Sequence, residues 1–108
     1  MIVMKFGGTS VADAGRMIAV AEIVRARCAR RPIVVVSALA GVTDLLVRAV
    51  AAAGAGDREG LDPILSDLER RHRWALSGSV EDARRRHDLT LELDALFLNL
   101  VEEAHVLD

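Results

Sequence analysis

Met1-Ile2-Val3-Met4-Lys5-Phe6-Gly7-Gly8 opens the chain, and Pro32-Ile33-Val34-Val35-Val36-Ser37 follows a helix-length interval later. These two stretches decide the fold. The first is apolar apart from Lys5 and stops at a glycine pair, which fits a short buried strand with no clean period-2 face. The second begins where Pro32 blocks further helix and continues as a β-branched run. Between them Val11, Ala14, Ile18, Ala21, Val24 and Cys28 recur every three or four residues, predicting one helix with a buried stripe. Arg25, Arg27, Arg30 and Arg31 load its last turns, where positive charge suits the dipole. Strand, helix and strand in that order form a parallel βαβ unit, right-handed in nearly all cases, so both strands finish on the same edge.

Downstream, Gly41 interrupts the chain, and Thr43 or Asp44 is positioned to cap a helix that Gly54-Ala55-Gly56 ends. Asp62 followed by Pro63 reads as an N-cap with proline at the first helical position. Leu61, Leu65, Leu68, His72 and Leu76 trace one face of that helix, and Ser77-Gly78-Ser79 closes it. Ser79 with Asp82 resembles a capping box for a last helix carrying Leu89, Leu93, Leu96, Leu100 and Leu107, widened by Phe97 and Val101. These two helices are expected to form an antiparallel hairpin. No internal repeat or low-complexity tract is present.

Composition narrows the function classes. A chain of 108 residues fits one small domain, and 52% hydrophobic content suffices for a core. A formal charge of −2 gives no global basic field, so nucleic acid is not an expected partner. The opening apolar run is too short for a signal-peptide core or a membrane span, so no membrane partner is expected. Cys28, the only cysteine, permits neither a disulfide framework nor a thiolate metal site, and is expected to be a small buried hydrophobe. A reducing, cytoplasmic setting follows as the default. Arg70-Arg71-His72-Arg73 and Arg84-Arg85-Arg86-His87 read as solvated faces or partners for acidic residues on the same helices. Trp74 reads as a packing residue and His105 as a surface one.

Two segments carry chemistry. Lys5-Phe6-Gly7-Gly8-Thr9-Ser10 lies where a strand hands over to a helix, and its glycines let backbone N–H groups approach an anion closely. The lysine precedes the glycines, which excludes the P-loop, and the G-x-G-x-x-G spacing is absent. The bland alternative is a tight turn beside a snorkelling lysine. Ligands of open α/β sheets bind at the carboxyl edge of the strands, which favours the anion reading. Lys5 is also the single lysine among fourteen basic residues, so a reason arginine cannot meet is worth seeking. The second segment, Ser37 to Asp44, falls on the same edge. The hydroxyls of Ser37 and Thr43 can hold the carboxylate or amino group of a small substrate there, or Thr43 can simply cap its helix.

Lys-Phe-Gly-Gly-Thr-Ser-Val-Ala at positions 5 to 12, with Val-Val-Val-Ser-Ala-Leu-Ala-Gly-Val-Thr-Asp-Leu-Leu at 34 to 46, resembles the amino-terminal part of aspartokinase. Other amino-acid kinases, such as glutamate 5-kinase, acetylglutamate kinase and uridylate kinase, share the lysine and glycines but usually not the Thr-Ser-Val that follows. The resemblance implies an α/β amino-acid-kinase fold, beginning with the parallel βαβ unit and followed by a helical hairpin. Residues 1–56 would form the nucleotide and substrate edge, and 57–108 a helical hairpin insertion like that of lysine-sensitive aspartokinases and of those fused to homoserine dehydrogenase. It implies phosphorylation of the L-aspartate side-chain carboxylate by ATP with Mg²⁺. Lys5 would contact the transferring phosphoryl group as the catalytic residue. Phe6, Gly7, Gly8, Thr9 and Ser10 would line the phosphate loop, and Ser37 and Thr43 would hold aspartate. No protein metal ligand is implied. The parent would be a homo-oligomer in the pathway to lysine and threonine. Two strands cannot make an independently stable parallel sheet covered on both faces, so the chain is expected to be an amino-terminal fragment, inactive alone. The competing expectations are a non-enzymatic helical interaction module and a different kinase of the same superfamily.

Overall fold

The computed structural model describes residues 1–106. Strand β1 (Ile2–Phe6) pairs in parallel with β2 (Pro32–Val36), with Ile2 opposite Pro32 and Phe6 opposite Val36. A 3-10 turn (Gly8–Val11), helix α1 (Ala14–Ala26) and a second 3-10 turn (Cys28–Arg30) make the crossover. Three helices follow: α2 (Val42–Gly54), α3 (Arg58–Ser79) and α4 (Ala83–Val106). The expected α/β architecture is therefore present, a parallel two-stranded start followed by helices.

The core lies in the helices and not against the sheet. Val42, Leu45, Ala49 and Ala53 of α2 meet Leu61, Ile64, Leu65 and Leu68 of α3 and Phe97 and Ala104 of α4 in one buried cluster. Leu61 and Leu68 are essentially inaccessible; truncating either to alanine would cost about 2–5 kcal/mol. His72 donates through Nδ1–H to the Leu68 carbonyl at 2.7 Å and meets Phe97 edge-on, 5.5 Å between ring centroids. Arg73 ties α3 to α4 by bonding Glu69 on its own helix and Asp94 across the hairpin. Hydrogen bonds to Asp94 and then Glu69 raise the Arg73 pKa above its ordinary value. Exposed pairs of this kind contribute more to alignment than to stability.

Several sequence expectations change. The strands are not buried: in β1 only Ile2, Met4 and Phe6 are half-covered, and Ile33 to Val36 are exposed, Val36 by 57%. Among the described residues there is no third strand to cover them. Helix α1 has no fully buried residue, and Val11 is buried from the 3-10 turn before it. Cys28 is exposed, because α1 ends at Ala26 and the chain tightens into a 3-10 turn that carries Cys28 off the helical period. Asp62 does not cap α3. Asp57 does so, accepting from the Gly60 amide at 2.9 Å, and Pro63 lies inside the helix. There it forfeits the bond its missing N–H would have made to the Glu59 carbonyl. Ser79 is the last residue of α3, not the cap of α4. Asp82 accepts from the amides of Arg84 and Arg85 at 2.9 and 3.0 Å, and the Arg85 bond foremost lowers its pKa. Leu89 and Leu96 face outward, and the buried stripe of α4 runs through Leu93, Phe97, Leu100, Val101 and Ala104. Leu107 lies outside the described residues. Trp74 is 74% exposed and so does not pack. His105 is half-buried, its Nε2 shielded without a hydrogen bond and 3.6 Å from Asp62 Oδ1.

The crossing of α1 with α3 depends on one small residue. A Cβ at Gly78 would come within 2.6 Å of the Ala14 Cβ. Gly78→Val is therefore expected to push α1 off α3 and to cost about 1–3 kcal/mol in urea unfolding, the usual scale of overpacking. An unchanged midpoint would show that the helices separate freely.

The molecule is long for its size. Its radius of gyration is 16.0 Å over extents of 49 × 28 × 21 Å, against about 13 Å for a compact chain of about 100 residues. The helical hairpin accounts for this, since α3 and α4 are each roughly 33–36 Å at 1.5 Å per residue.

Candidate functional site

The parallel pairing brings the ends of β1 and β2 together. The Ser37 amide donates to the Phe6 carbonyl at 3.0 Å, extending the ladder one step past the strands. The chain then turns at Gly7, whose carbonyl accepts from the Ser10 amide at 3.0 Å and closes a 3-10 turn. In such a turn the amides of Gly8 and Thr9 precede the first internal bond. A Cβ on Gly8 would lie 3.6 Å from the Ala38 carbonyl oxygen and 3.7 Å from Ser37 Oγ, so the first loop touches the second. A Cβ on Gly7 would meet nothing within 4 Å. Gly7 has φ −76°, which any residue tolerates. Neither packing nor backbone strain within this chain therefore requires glycine there, and what its missing side chain leaves open is backbone facing free space.

Lys5 stands opposite Val35 and is exposed, on the same face of β1 as Val3 and opposite to Phe6. Thr9 is exposed and Ser10 half-buried. Ser37 is exposed next to Gly8. Thr43 is exposed in the first turn of α2. It does not cap that helix, since the N-cap is Gly41 and no side chain bonds the helix start. Gly41 has φ +82°, a left-handed conformation in which a side chain is strained, and this is what allows α2 to begin two residues earlier than a Thr43 cap would. The first loop and Ser37 are thus in contact. Thr43 joins them through the Ala38–Gly41 segment and not by direct contact with the glycines.

Both loops are held from outside by an arginine. Arg16 of α1 donates through Nη1 to the Thr9 carbonyl at 2.7 Å, and its own amide is bonded by Asp13 at 2.9 Å. Arg71 of α3 donates through Nη1 to the Ala40 carbonyl at 3.3 Å, across 31 residues of sequence, while Nε reaches Asp67 Oδ1 at 3.4 Å. The sequence reads Arg71 as part of a solvated face or a partner for acidic residues of its own helix, and the Asp67 pair is the second of these. The Asp67–Arg71 spacing signals an intrahelical pair, but nothing in the sequence signals the reach to Ala40. Between the loops and α3 runs a groove of about 320 Å³ whose lining includes Ala12, Leu39, Arg71 and Trp74. Among the described residues no three His, Cys, Asp or Glu side chains gather as a metal-binding group. None of the described helices is long and apolar enough to cross a membrane.

A parallel strand pair with a glycine loop at its carboxyl edge defines a class of α/β ligand-binding proteins, and the family model of the amino acid kinase family matches residues 1–99. The chain belongs to that family. Within it, the similarity runs to aspartokinases. The chain is 53% identical over 49 residues to aspartokinase of Rickettsia felis, covering 44% of this chain and 12% of that one. It is 51% identical over 47 residues to chloroplastic aspartokinase 3 of Arabidopsis thaliana, covering 44% and 8%. The crystal structure of E. coli aspartokinase III in complex with lysine and aspartate superposes over 99% of this chain and 22% of that one, with a TM-score of 0.76 and 31% identity. The chain thus spans about a tenth of the curated relatives it matches and about a fifth of the solved structure.

Proposed function

We propose that this chain is the amino-terminal part of an aspartokinase-type kinase domain, and that its strand edge supplies half of the site. In the reaction the γ-phosphoryl group of ATP passes to the side-chain carboxylate of L-aspartate, giving 4-phospho-L-aspartate and ADP. The observation that carries this reading is the meeting of the two motif loops, with Ser37 bonded to Phe6 and lying beside Gly8. In this scheme Lys5 offsets charge on the transferring phosphoryl group, and the open backbone at Gly7 and Gly8 receives phosphate oxygens. Phe6 anchors the loop to β2, Thr9 and Ser10 complete the turn, and Ser37 and Thr43 bind the amino acid. Mg²⁺, when bound, would neutralise part of the charge on the nucleotide phosphates.

The acceptor tests the proposal. In the complete kinase chain, Mg²⁺-ATP turnover is expected with L-aspartate and not with glutamate, N-acetylglutamate or uridylate. Turnover with one of those and not with aspartate would move the chain to another branch of the family. Thr43 gives a sharper check. Because it sits at the start of α2 without capping it, Thr43→Val should raise the KM for aspartate and leave that for ATP within about threefold. A lost hydrogen bond of ~1 kcal/mol sets that scale. An equal change in both constants would mark Thr43 as structural.

A further inference from the structure

We propose that Arg71 is a positioning residue, which sets the Ala40–Gly41 segment and, through it, the placement of Thr43. The role of Thr43 rests on the aspartokinase-type reading above; the hold on the segment rests on geometry alone. Helix α2 begins at a left-handed glycine with no side-chain cap, so its own residues supply no side-chain hydrogen bond to fix the angle at which it starts. Arg71 supplies a donor from a different element. Its Nη1 bonds the Ala40 carbonyl at 3.3 Å and lies where a Cβ on Gly41 would approach to 2.7 Å. The guanidinium therefore occupies the space that glycine leaves. Its Nε is bonded to Asp67 one turn back on α3, so the fork is aimed before it reaches the loop.

A cation at the start of a helix opposes the helix dipole, and the Asp67 carboxylate offsets that charge. The same face of α3 meets the first loop's helix two turns further on, where Gly78 lies against Ala14. One helix, α3, thus touches the chain after both motif loops. Lysine could donate to Ala40 but could not keep both bonds in one planar group.

The test uses the complete kinase with Arg71→Ala, Arg71→Lys and, as a control of equal charge change, Arg84→Ala on α4. Two quantities are read. The first is amide exchange at Val42 and Leu45, whose N–H groups bond the Leu39 and Gly41 carbonyls at 3.0 and 3.2 Å. The second is the pair of KM values for aspartate and ATP. Arg71→Ala is expected to speed exchange at both amides by about tenfold and to raise the aspartate KM about 5–10-fold, with the ATP KM within about threefold. Arg71→Lys should recover part of both effects, Arg84→Ala should change neither, and Arg71→Ala should add little to Thr43→Val. Unchanged exchange in Arg71→Ala, or a rise in both KM values together, would overturn the proposal. If the parent enzyme shows no aspartate-dependent turnover, the functional reading falls, and the exchange data still decide whether Arg71 holds the segment.

Discussion

Lys5→Ala in the complete kinase chain is expected to lower kcat by at least ~10²–10³, the usual consequence of removing a charge-stabilising donor. Lys5 is the next-to-last residue of β1, one before Phe6, whose carbonyl accepts from the Ser37 amide, and it is exposed there. An ammonium 4 Å from a unit negative charge contributes about 4 kcal/mol at an effective dielectric near 20. That energy matters most while negative charge is moving between two anions. Lys5→Arg should not restore the rate, because a broad planar fork does not follow a moving phosphoryl group as a compact ammonium does. Measurement of kcat at saturating ATP and aspartate decides the point. Near-normal turnover of Lys5→Ala would remove Lys5 from the site.

The second large effect concerns residues 1–108 by themselves, which are expected to have no kinase activity. Phosphoryl transfer relies on positioning and electrostatic stabilisation. This segment offers one lysine, two hydroxyls and a backbone loop, and no described group for the nucleotide base. The sheet has only two strands, and their β-branched residues Ile33 to Val36 lie open to solvent. An exposed edge of that kind pairs readily with other chains. The outer surfaces of α2 and α4 add Val47, Val50, Leu96 and Leu98 to the uncovered apolar area. Association of the isolated segment is therefore expected in sedimentation or light scattering, relieved when the remainder of a related aspartokinase is supplied. A stable monomer at high concentration would instead favour the interaction-module alternative.

The order of elements was legible in the sequence because it depends on local signals. Gly7-Gly8, Pro32, Gly41 and Gly54 to Gly56 each interrupt the chain where an element ends, and the β-branched run at Ile33 to Val36 cannot be mistaken for helix. The meeting of the two motifs followed from the parallel crossover, which places both strand ends on one edge. What was not legible depends on contacts between distant residues. Burial of the strands was expected from their composition, but composition records what a strand is suited to and not what covers it. Asp57 outcompeted Asp62 as the cap of α3 because its side chain reaches the Gly60 amide, a choice between two acceptable signals. Trp74 and Leu96 were assigned inward on residue type or period alone. Arg71 was hidden for the opposite reason: in sequence it has an ordinary helical partner in Asp67, and its second bond crosses to another element.

The most direct test is aspartate-dependent ADP formation with Mg²⁺-ATP, measured for the 108-residue chain alone, for the remainder of a related aspartokinase alone, and for the two mixed. If this chain supplies half of an aspartokinase-type site, turnover appears only in the mixture, and Lys5→Ala in the 108-residue partner abolishes it. Robust turnover by the 108-residue chain on its own would contradict the half-site, and so would turnover in the mixture that is indifferent to Lys5.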